Sequence, residues 1–407
     1  MKMFTKENLI FGAAGFITFA LNSIFLTFSV SFFSEAGCSE TQIGFMVAVT
    51  VLVSMLSQVA TGYLNDNVIT VKKVVLIQIV LTIVSVLLML PMQGSYPMLF
   101  LLYALYSLTG RMMTQMIDGY ITRVAQRRSA LDFGITRGLS SMGYATAAMV
   151  GGQMIQHFGG LKMMFVLHTI FGILAFVVVL FLEDVPLNKK AAPDVTATAN
   201  PDSFAVAAKA VFRTRGFVLV SIACMLMQTG IYIVLTYYQL IVKEVGGQDG
   251  HVGLAMFLLS MSEVPVLWNF YRLRKRFKNG HMMVFAMLMY VVRAALWISF
   301  QNVVGVIMIQ MMQGLTYAVF LPAAMRYMQD LVPERHMSTG IMIWLAIYSS
   351  GGQIVGSLVG GILLESGGIV PLYIASAAAN TLGAALMVFA MRRKTAVELA
   401  EMQAKAA

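Results

Sequence analysis

The sequence predicts an all-α integral membrane protein with twelve transmembrane helices in two pseudo-symmetric six-helix halves. Three observations predict this class. The chain of 407 residues is 59% hydrophobic and only 11% charged, whereas about 25% of the residues of a soluble domain are charged. Its apolar residues form twelve long runs, and one polar stretch divides these runs into six and six.

The apolar runs have the length of membrane-spanning helices. About 20 apolar residues in a helix cross the hydrocarbon core of a bilayer, whereas a β-barrel would show alternating segments of about ten residues. The first run is too long for a signal-peptide core and lacks a small-residue cleavage site, so we expect a retained helix. The predicted segments, numbered 1 to 12, are 9–33, 42–64, 74–90, 97–121, 135–155, 163–181, 217–242, 252–270, 282–300, 303–325, 337–364 and 370–391.

The basic residues predict the orientation of the chain. A net charge of +10 is compatible with a nucleic-acid partner, but here the positive charge lies in the loops on one side. Only Lys162 and Lys243 lie in loops on the other side, and Arg111, Arg137 and Arg293 lie within segments. Because basic loops remain in the cytoplasm, we predict that both termini are cytoplasmic and that no nucleic acid is bound.

A polar stretch separates the two halves. It reads "EDVPLNKKAAPDVTATANPDSFAVAAKAVFRTR", is rich in Ala, Pro, Asp and Lys, shows no large apolar face, and predicts a cytoplasmic linker. Segments 5 and 11 end in similar paired glycines, "VGGQMIQHFGG" and "VGGILLESGG", which favours an internal duplication. The predicted division is an N-terminal half 1–184, a linker 185–215, a C-terminal half 216–391 and a cytoplasmic tail 392–407.

Other chemistries find little support in the sequence. Cys38, in an outer loop, and Cys224, in segment 7, give no disulfide framework, and no His/Cys cluster indicates a metal site. No Gly-rich phosphate loop, which an ATP-driven pump would need, and no nucleophile–base pair stand out. We therefore expect a carrier without a cofactor, and a receptor or membrane enzyme is only a remote alternative.

The loop after segment 2 carries a family resemblance. The stretch "GYLNDNVITVKK" resembles the loop signature of the major facilitator superfamily of transporters, although Ile69 and Thr70 stand where the family usually has a glycine and a basic residue. In that family the acid of this loop caps a neighbouring helix end and gates the inner side. The resemblance implies the major facilitator fold and a gating loop here. The matching residues are Gly62, Leu64, Asp66, Lys72 and Lys73.

A narrower resemblance covers nearly the whole chain. The stretches "SETQIGFMVAV", "RRSALDFGITRGLSSMGYATAAMVGG", "MSEVPV" and "MYVVRAALW" are similar to the branch that holds lactose permease, other oligosaccharide:proton symporters, and nucleoside and phenylpropionate carriers. The resemblance places Arg137 at the substrate-binding arginine and Tyr144 at the aromatic residue that stacks on the sugar. Glu263 and Arg293 fall at the acid and the arginine of segments 8 and 9.

The chain departs from lactose permease at charged positions. Segment 10 has Gln310, Gln313 and Thr316 where the permease has three titratable residues, and Gln228 and Ser349 replace a charged pair between segments 7 and 11. Lactose specificity therefore does not carry over. The resemblance implies a secondary transporter of a sugar or oligosaccharide that works by proton-coupled alternating access. The alternatives are a carrier of an organic anion, aromatic acid or nucleoside, and an uncoupled facilitator.

Charges within the segments mark the candidate site. An ionised group at the bilayer centre costs at least ~2.5 kcal/mol, so such groups face a cavity or a partner. Glu263 and Arg293 are the candidates for proton coupling, and the alternative is a fixed salt bridge between them. Arg111 would pair with Glu263 or Asp118, or hold an anionic substrate. The candidate substrate-binding residues are Arg137, Tyr144, Asp118, Arg111, Gln228, Tyr232, Trp268 and Gln313.

Some candidates have ordinary structural alternatives. Arg137 starts segment 5, where a long basic side chain could instead extend to the membrane interface. Aromatic residues also serve as packing and interface residues. The resemblance further implies a monomer in the plasma membrane of a prokaryote, with the proton as coupling ion.

The distribution of basic residues generates a topological prediction. An impermeant thiol reagent added outside should label a cysteine placed at Gly94 or Gln248, because both positions lie in predicted outer loops. A cysteine at Thr196 should stay unlabelled until the membrane is permeabilised. The unmodified protein measures the background, and labelling of Thr196→Cys in sealed cells would contradict the predicted orientation.

Overall fold

The computed structural model describes residues 5–125, 127–128, 131–184, 201–214 and 216–406, and every element in these ranges is helical. Within these ranges the structure does not describe the side chains at 59, 63, 66, 67, 201–203 and 394–406. The helices are α1 (Lys6–Glu35), α2 (Glu40–Asn67), α3 (Val71–Met89), α4 (Tyr96–Ala125), α5 (Phe133–His157), α6 (Lys162–Phe181), α7 (Pro201–Arg213), α8 (Phe217–Leu235), α9 (Tyr238–Glu244), α10 (Asp249–Arg276), α11 (Asn279–Ser299), α12 (Val303–Ile309), α13 (Tyr317–Leu331), α14 (Met337–Leu345), α15 (Gly352–Gly367) and α16 (Ile369–Ala406).

Each of the twelve predicted segments lies in a helical stretch. In the described part of the chain, 10 stretches are long and apolar enough to cross a membrane. Segments 4 and 5 form α4 and α5, of 30 and 25 residues, which are not among these ten. These two helices carry Arg111, Asp118 and Arg137, and such polar residues lower the mean hydropathy of a span. The all-helical membrane class is therefore confirmed.

Three predicted segments are interrupted rather than continuous α-helices. Segment 7 divides into α8 and α9 at Thr236 and Tyr237. A 3-10 turn at Gln310–Gly314 separates α12 from α13, and a π-helical turn at Ala346–Gly351 separates α14 from α15. Such turns change the direction of side chains within a helix and are frequent at functional sites.

The chain forms two compact units. The first unit contains α1–α6 together with Tyr237–Ser260 and Asn302–Ile307, and the second contains α7, α8, Met261–Gln301 and the chain from Met308. In the first unit, the Lys243 ammonium lies 3.0 Å from a carboxylate oxygen of Glu35 on α1. The first unit therefore includes short segments from beyond the predicted linker.

Helices α1 and α5 approach each other through glycine in the first unit. A Cβ atom on Gly143 would collide with the backbone of Phe16, and one on Gly12 or Gly15 would meet the side chains of Leu139 or Ser140. Lipid tails are as apolar as leucine, so membrane helices associate through close packing rather than hydrophobic exclusion from water. Glycine at this crossing brings the two backbones together.

The predicted linker contains a helix. Residues 185–200 lie outside the described part of the chain, and α7 occupies Pro201–Arg213. We expected no large apolar face in this stretch, but Ala207 and Val211 are buried in α7. The composition hid this buried face because it consists of one alanine and one valine.

Both cysteines are free and buried. Cys38 follows α1, and burial raises the pKa of its thiol above the ordinary value. Less of the reactive thiolate is therefore present at neutral pH, so thiol reagents should label the unmodified protein slowly.

The α1–α5 crossing generates a stability prediction. Gly143→Ala should destabilise the protein by about 1–3 kcal/mol, because the new methyl group collides with backbone that cannot rotate away. A lower midpoint of thermal unfolding of the purified protein would show this loss.

Gly138→Ala is the matched control on the same helix. A Cβ at Gly138 meets nothing within 4 Å, and alanine favours the helix over glycine by roughly 1 kcal/mol. Its unfolding midpoint should therefore stay unchanged or rise. Equal midpoints for the two variants would show that the crossing tolerates a wider separation.

Candidate functional site

Among the described residues, two clusters centred on arginine lie within the predicted membrane segments, one in each unit. The first is an ion pair between α4 and α5. The Arg137 Nε atom lies 3.2 Å from Oδ2 of Asp118, and Nη1 of Arg137 donates to the hydroxyl of Ser141 at 2.9 Å. The guanidinium also lies over the ring of Phe19, 4.7 Å from its centre. The side chains of Arg137 and Asp118 remain 41% and 23% exposed, so solute can still approach them.

The start of α5 determines where Arg137 lies. Asp132 caps this helix by accepting a hydrogen bond from the backbone nitrogen of Ile135 at 3.1 Å. Asn8 of α1 accepts a hydrogen bond from the backbone nitrogen of Asp132 at 2.8 Å, which ties the cap to the first helix. Arg137 therefore lies one turn inside a helix whose end is anchored.

Spacing places further candidates on the same helix faces. Tyr144 is seven residues after Arg137 on α5, and Arg111 is seven residues before Asp118 on α4. Residues seven apart are about two turns apart on one face. Tyr144 is half-buried and packs partly against the core of the first unit. Its backbone carbonyl accepts a hydrogen bond from the hydroxyl of Ser23 at 2.8 Å.

Arg111 is the remaining charge of this face. The sequence left open whether it pairs with Asp118, and the structure pairs Asp118 with Arg137 instead. Among the described residues, none forms a hydrogen bond or ion pair with the half-buried Arg111 side chain. The α4–α5 cluster therefore carries an excess of one positive charge.

The second cluster surrounds Arg293 of α11, which is 2% exposed. Its Nη1 atom donates to the side-chain carbonyl of Gln313 at 2.8 Å, and Nη2 donates to that of Gln310. Both acceptors belong to the 3-10 turn between α12 and α13. The interruption of segment 10 thus brings two glutamine carbonyls to one guanidinium.

Aromatic rings complete the surroundings of Arg293. Its guanidinium carbon lies 4.8 Å from the ring centre of Trp297 and 5.9 Å from that of Tyr290. Trp297 in turn stacks on Tyr373, with ring centres 5.7 Å apart and planes 21° apart. Ring faces are electronegative, so they favour a cation that is removed from water. Arg293 and Trp297 also line a small cavity of about 10 Å³.

Glu263 lies half-buried near the middle of α10. The hydroxyl of the preceding Ser262 accepts a hydrogen bond from the backbone nitrogen of Gly314 at 3.1 Å. This contact fixes Glu263 next to the 3-10 turn that holds Arg293. Pro265 has no N–H, so the carbonyl of Met261, four residues earlier, loses its helical donor close to this carboxyl group.

The other aromatic and amide candidates occupy different environments. Gln228 is 5% exposed on α8, and a Cβ on Gly352 of the π-turn region would collide with it. Tyr232, one turn later, is half-buried. Trp268 of α10 is 83% exposed, so within the second unit it is hardly covered. These three remain candidates for substrate binding.

The candidate gating residues lie at the ends of helices. Gly62 and Asp66 belong to the last two turns of α2, and the side chain of Asp66 lies outside the described residues. The Lys72 ammonium donates to the backbone carbonyls of Leu180 and Leu182 at 2.8 and 2.6 Å. These carbonyls end α6, where a cation satisfies unbonded acceptors and complements the helix dipole.

Sequence reasoning identified Asp118 and Gln313 as candidates but missed other residues that hold the two arginines. Ser141 and Trp297 each lie four residues after their arginine, and Tyr290 lies three residues before Arg293. These spacings place side chains side by side on a helix and could have identified all three. Gln310 carried no such signal, because only the 3-10 turn directs it to Arg293. In the described part of the chain, no group of three His, Cys, Asp or Glu residues could hold a metal ion.

Comparison with known proteins shows similarity over nearly the whole chain. The model of the family described as "MFS_1 like family" matches residues 11–375. The chain is 26% identical to the maltose permease of Geobacillus stearothermophilus over 387 residues, 94% of either protein. A crystal structure of the nucleoside transporter NupG superposes with a TM-score of 0.81 at 16% identity, and covers 95% of this chain and 99% of that one. A bacterial homologue of the lysosomal transporter Spinster, inward-facing and unoccupied, gives 0.63 at 13% identity, with 94% of each covered.

Proposed function

Because this chain belongs to the MFS_1 like family of the major facilitator superfamily, and so is a membrane transporter rather than an enzyme, we propose that it carries a sugar or oligosaccharide by proton-coupled alternating access. The candidate substrate-binding residues are those of the α4–α5 cluster in the first unit and, taken separately, Gln228, Tyr232, Trp268 and Gln313 in the second unit. The proton is the coupling ion, and no other cofactor takes part. The protein works as a monomer in the cytoplasmic membrane of a prokaryote, with both termini in the cytoplasm.

The arrangement of Asp118, Arg137 and Tyr144 carries the proposal of a sugar. A carboxylate accepts and a guanidinium donates hydrogen bonds, so the pair suits the neighbouring hydroxyl groups of a sugar ring. Tyr144, two turns along the same face of α5, offers an aromatic ring for the apolar face of the sugar. The similarity to a maltose permease over 94% of both chains supports this class of substrate.

Glu263 and Arg293 support the proposal of proton coupling. Segment 10 lacks the three titratable residues of lactose permease, and Glu263 is the acid nearest in sequence to the centre of a predicted span in the C-terminal half. Arg293 donates hydrogen bonds to Gln310 and Gln313, and its permanent positive charge can stabilise the ionised carboxyl group of Glu263. Gly62, Asp66 and Lys72 form the gating region in this proposal.

Arg111 favours a second candidate function. A half-buried arginine without a described hydrogen-bonding partner is well suited to a carboxylate or another anion, because its planar donors bind such groups in pairs. An organic anion or aromatic acid would therefore contact Arg111, while a neutral sugar need not.

A ligand screen separates these functions. A ligand that binds only the native state at 100 times its Kd stabilises a protein by about 2.7 kcal/mol. Purified protein should show a raised unfolding midpoint with maltose or related sugars, and unchanged midpoints with carboxylates and nucleosides. Stabilisation by carboxylates alone would replace the sugar proposal with the second candidate.

Replacement of Tyr144 tests its stacking role. Tyr144→Ala should weaken sugar binding about 10-fold, because loss of a stacked aromatic surface costs on the order of 1.4 kcal/mol. Tyr144→Trp keeps a flat aromatic face and should weaken binding only mildly. Titration calorimetry with the sugar found in the screen measures both constants.

Arg111→Gln is the control for substrate charge. Sugar binding should tolerate this change, since a neutral solute gains little from the arginine. If Arg111→Gln abolishes binding and Tyr144→Ala does not, the substrate is an anion bound by Arg111.

Replacement of Glu263 tests proton coupling. Glu263→Gln should abolish accumulation against a gradient while substrate binding and counterflow persist, because glutamine keeps the size and hydrogen bonding but cannot release a proton. Uptake and counterflow in proteoliposomes with an imposed pH gradient measure the two activities separately.

Arg293 provides the matched comparison. Arg293→Lys keeps the positive charge and should impair coupling less than Arg293→Ala does. Full active uptake by Glu263→Gln, or uptake by the unmodified protein that is independent of pH, would rule out this role. Loss of folded Glu263→Gln protein would instead indicate a structural salt bridge, so expression is measured alongside.

A further inference from the structure

The side chains of helix α7 form three strips along its axis: one is buried, one is exposed and apolar, and one is exposed and basic. Ala207 and Val211 are 4% and 0% exposed and face the second unit. Phe204 and Phe212, eight residues apart, form with the half-buried Ala208 between them an exposed apolar strip next to the buried one. Lys209 and Arg213, four residues apart, form an exposed basic strip. In a helix, residues four apart lie on one face, so each strip runs along the axis.

Packing places α7 next to the start of a membrane span. α7 ends at Arg213 and α8, a candidate span, begins at Phe217. The ring of Phe212 packs edge-on against that of the fully buried Phe217, with ring centres 6.0 Å apart. The end of α7 is therefore held within one turn of the point where the chain enters the bilayer.

The apolar strip is unusual for a surface helix in water. Phe204 is 48% exposed and Phe212 is 49% exposed. Ala207 and Val211 occupy the protein-facing side instead. Exposed aromatic rings next to a membrane span are typical of a helix that lies in the interfacial region of a bilayer.

The charges around α7 favour an anionic surface. Lys209 and Arg213 flank the apolar strip, and the predicted topology puts them on the cytoplasmic side. The 3-10 turn Glu334–His336, which packs against α7, adds Arg335 as well as the acid Glu334. Basic residues near the inner leaflet are attracted to anionic lipids by about 1 kcal/mol each.

We propose that α7 is an interfacial helix that binds the anionic lipid surface of the inner leaflet. The Phe204–Phe212 strip inserts among the upper acyl chains, and Lys209 and Arg213 bind the phosphates of anionic headgroups such as phosphatidylglycerol. Helix α7 packs against α14 of the second unit. The buried strip of Ala207 and Val211 therefore transmits this attachment to the second unit.

Spin labels on cysteines test the depth of the helix in the full-length protein in phosphatidylglycerol-containing vesicles. A label at Phe204→Cys should be more accessible to oxygen, which dissolves in lipid, than to a water-soluble nickel complex. A label at Val206→Cys is the matched control, because Val206 is also exposed, at 64%, and lies on nearly the opposite side of α7 from the strip. It should show the reverse preference.

Two results would overturn the insertion. If the labels at positions 204 and 206 were equally accessible to the nickel complex, the apolar strip would lie in water. Low accessibility of the Phe204 label to both oxygen and nickel would show that protein, from this chain or another copy, covers it.

Lipid selectivity tests the basic strip. A fluorophore at Phe204→Cys should be quenched more strongly by brominated phosphatidylglycerol than by brominated phosphatidylcholine. Lys209→Gln with Arg213→Gln should reduce this preference by up to about 30-fold, since each basic residue contributes about fivefold. Arg274→Gln with Arg276→Gln removes the same charge from exposed positions at the end of α10. An equal reduction in this control, or no preference in the parent protein, would overturn headgroup binding at α7.

Discussion

The burial of charge in apolar surroundings constrains this structure more than any other interaction. A charge at the centre of a bilayer must find a partner or a polar cavity, and the chain meets this requirement in two ways. Arg137 is neutralised by Asp118 in a pair that stays partly exposed, and a partly exposed pair remains open to exchange with the hydroxyl groups of a solute. Arg293 is almost completely buried and is held by two glutamine carbonyls and two aromatic rings.

In the proposed function, this difference gives the two clusters different roles. In the proposed mechanism, Glu263 changes protonation near the permanent positive charge of Arg293, which binds two neutral glutamines. The 3-10 turn at Gln310–Gly314 is essential to this arrangement, because it directs both glutamines to one guanidinium. Segment 10 has three uncharged residues where lactose permease has titratable ones. Two of these, Gln310 and Gln313, bind the Arg293 guanidinium.

Close packing of backbones positions the charged side chains. Gly143 brings α5 against α1, which places Phe19 over Arg137 and lets Asn8 hold the cap residue Asp132. Farther along α5, Gly152 approaches the backbone of α10 at Asp249 within the first unit. Without a hydrophobic driving force between helices in lipid, such approaches supply the packing energy. Substitutions at these glycines would consequently displace the site as well as weaken the bundle.

The sequence alone determined the membrane class, the number and approximate ends of the segments, and the residues that merit attention within them. These properties depend on local composition: the length of an apolar run decides whether a helix spans the bilayer, and a charge in such a run is recognisable wherever it falls. The break after Leu235 and the π turn at Ala346–Gly351 were not predictable, since apolar periodicity is similar in continuous and interrupted helices. Only the tertiary structure decided that Asp118 pairs with Arg137 rather than Arg111, and that Gln310 and Gln313 bind Arg293. Partner choice depends on the relative rotation and depth of helices that are distant in sequence, and no local pattern records these quantities.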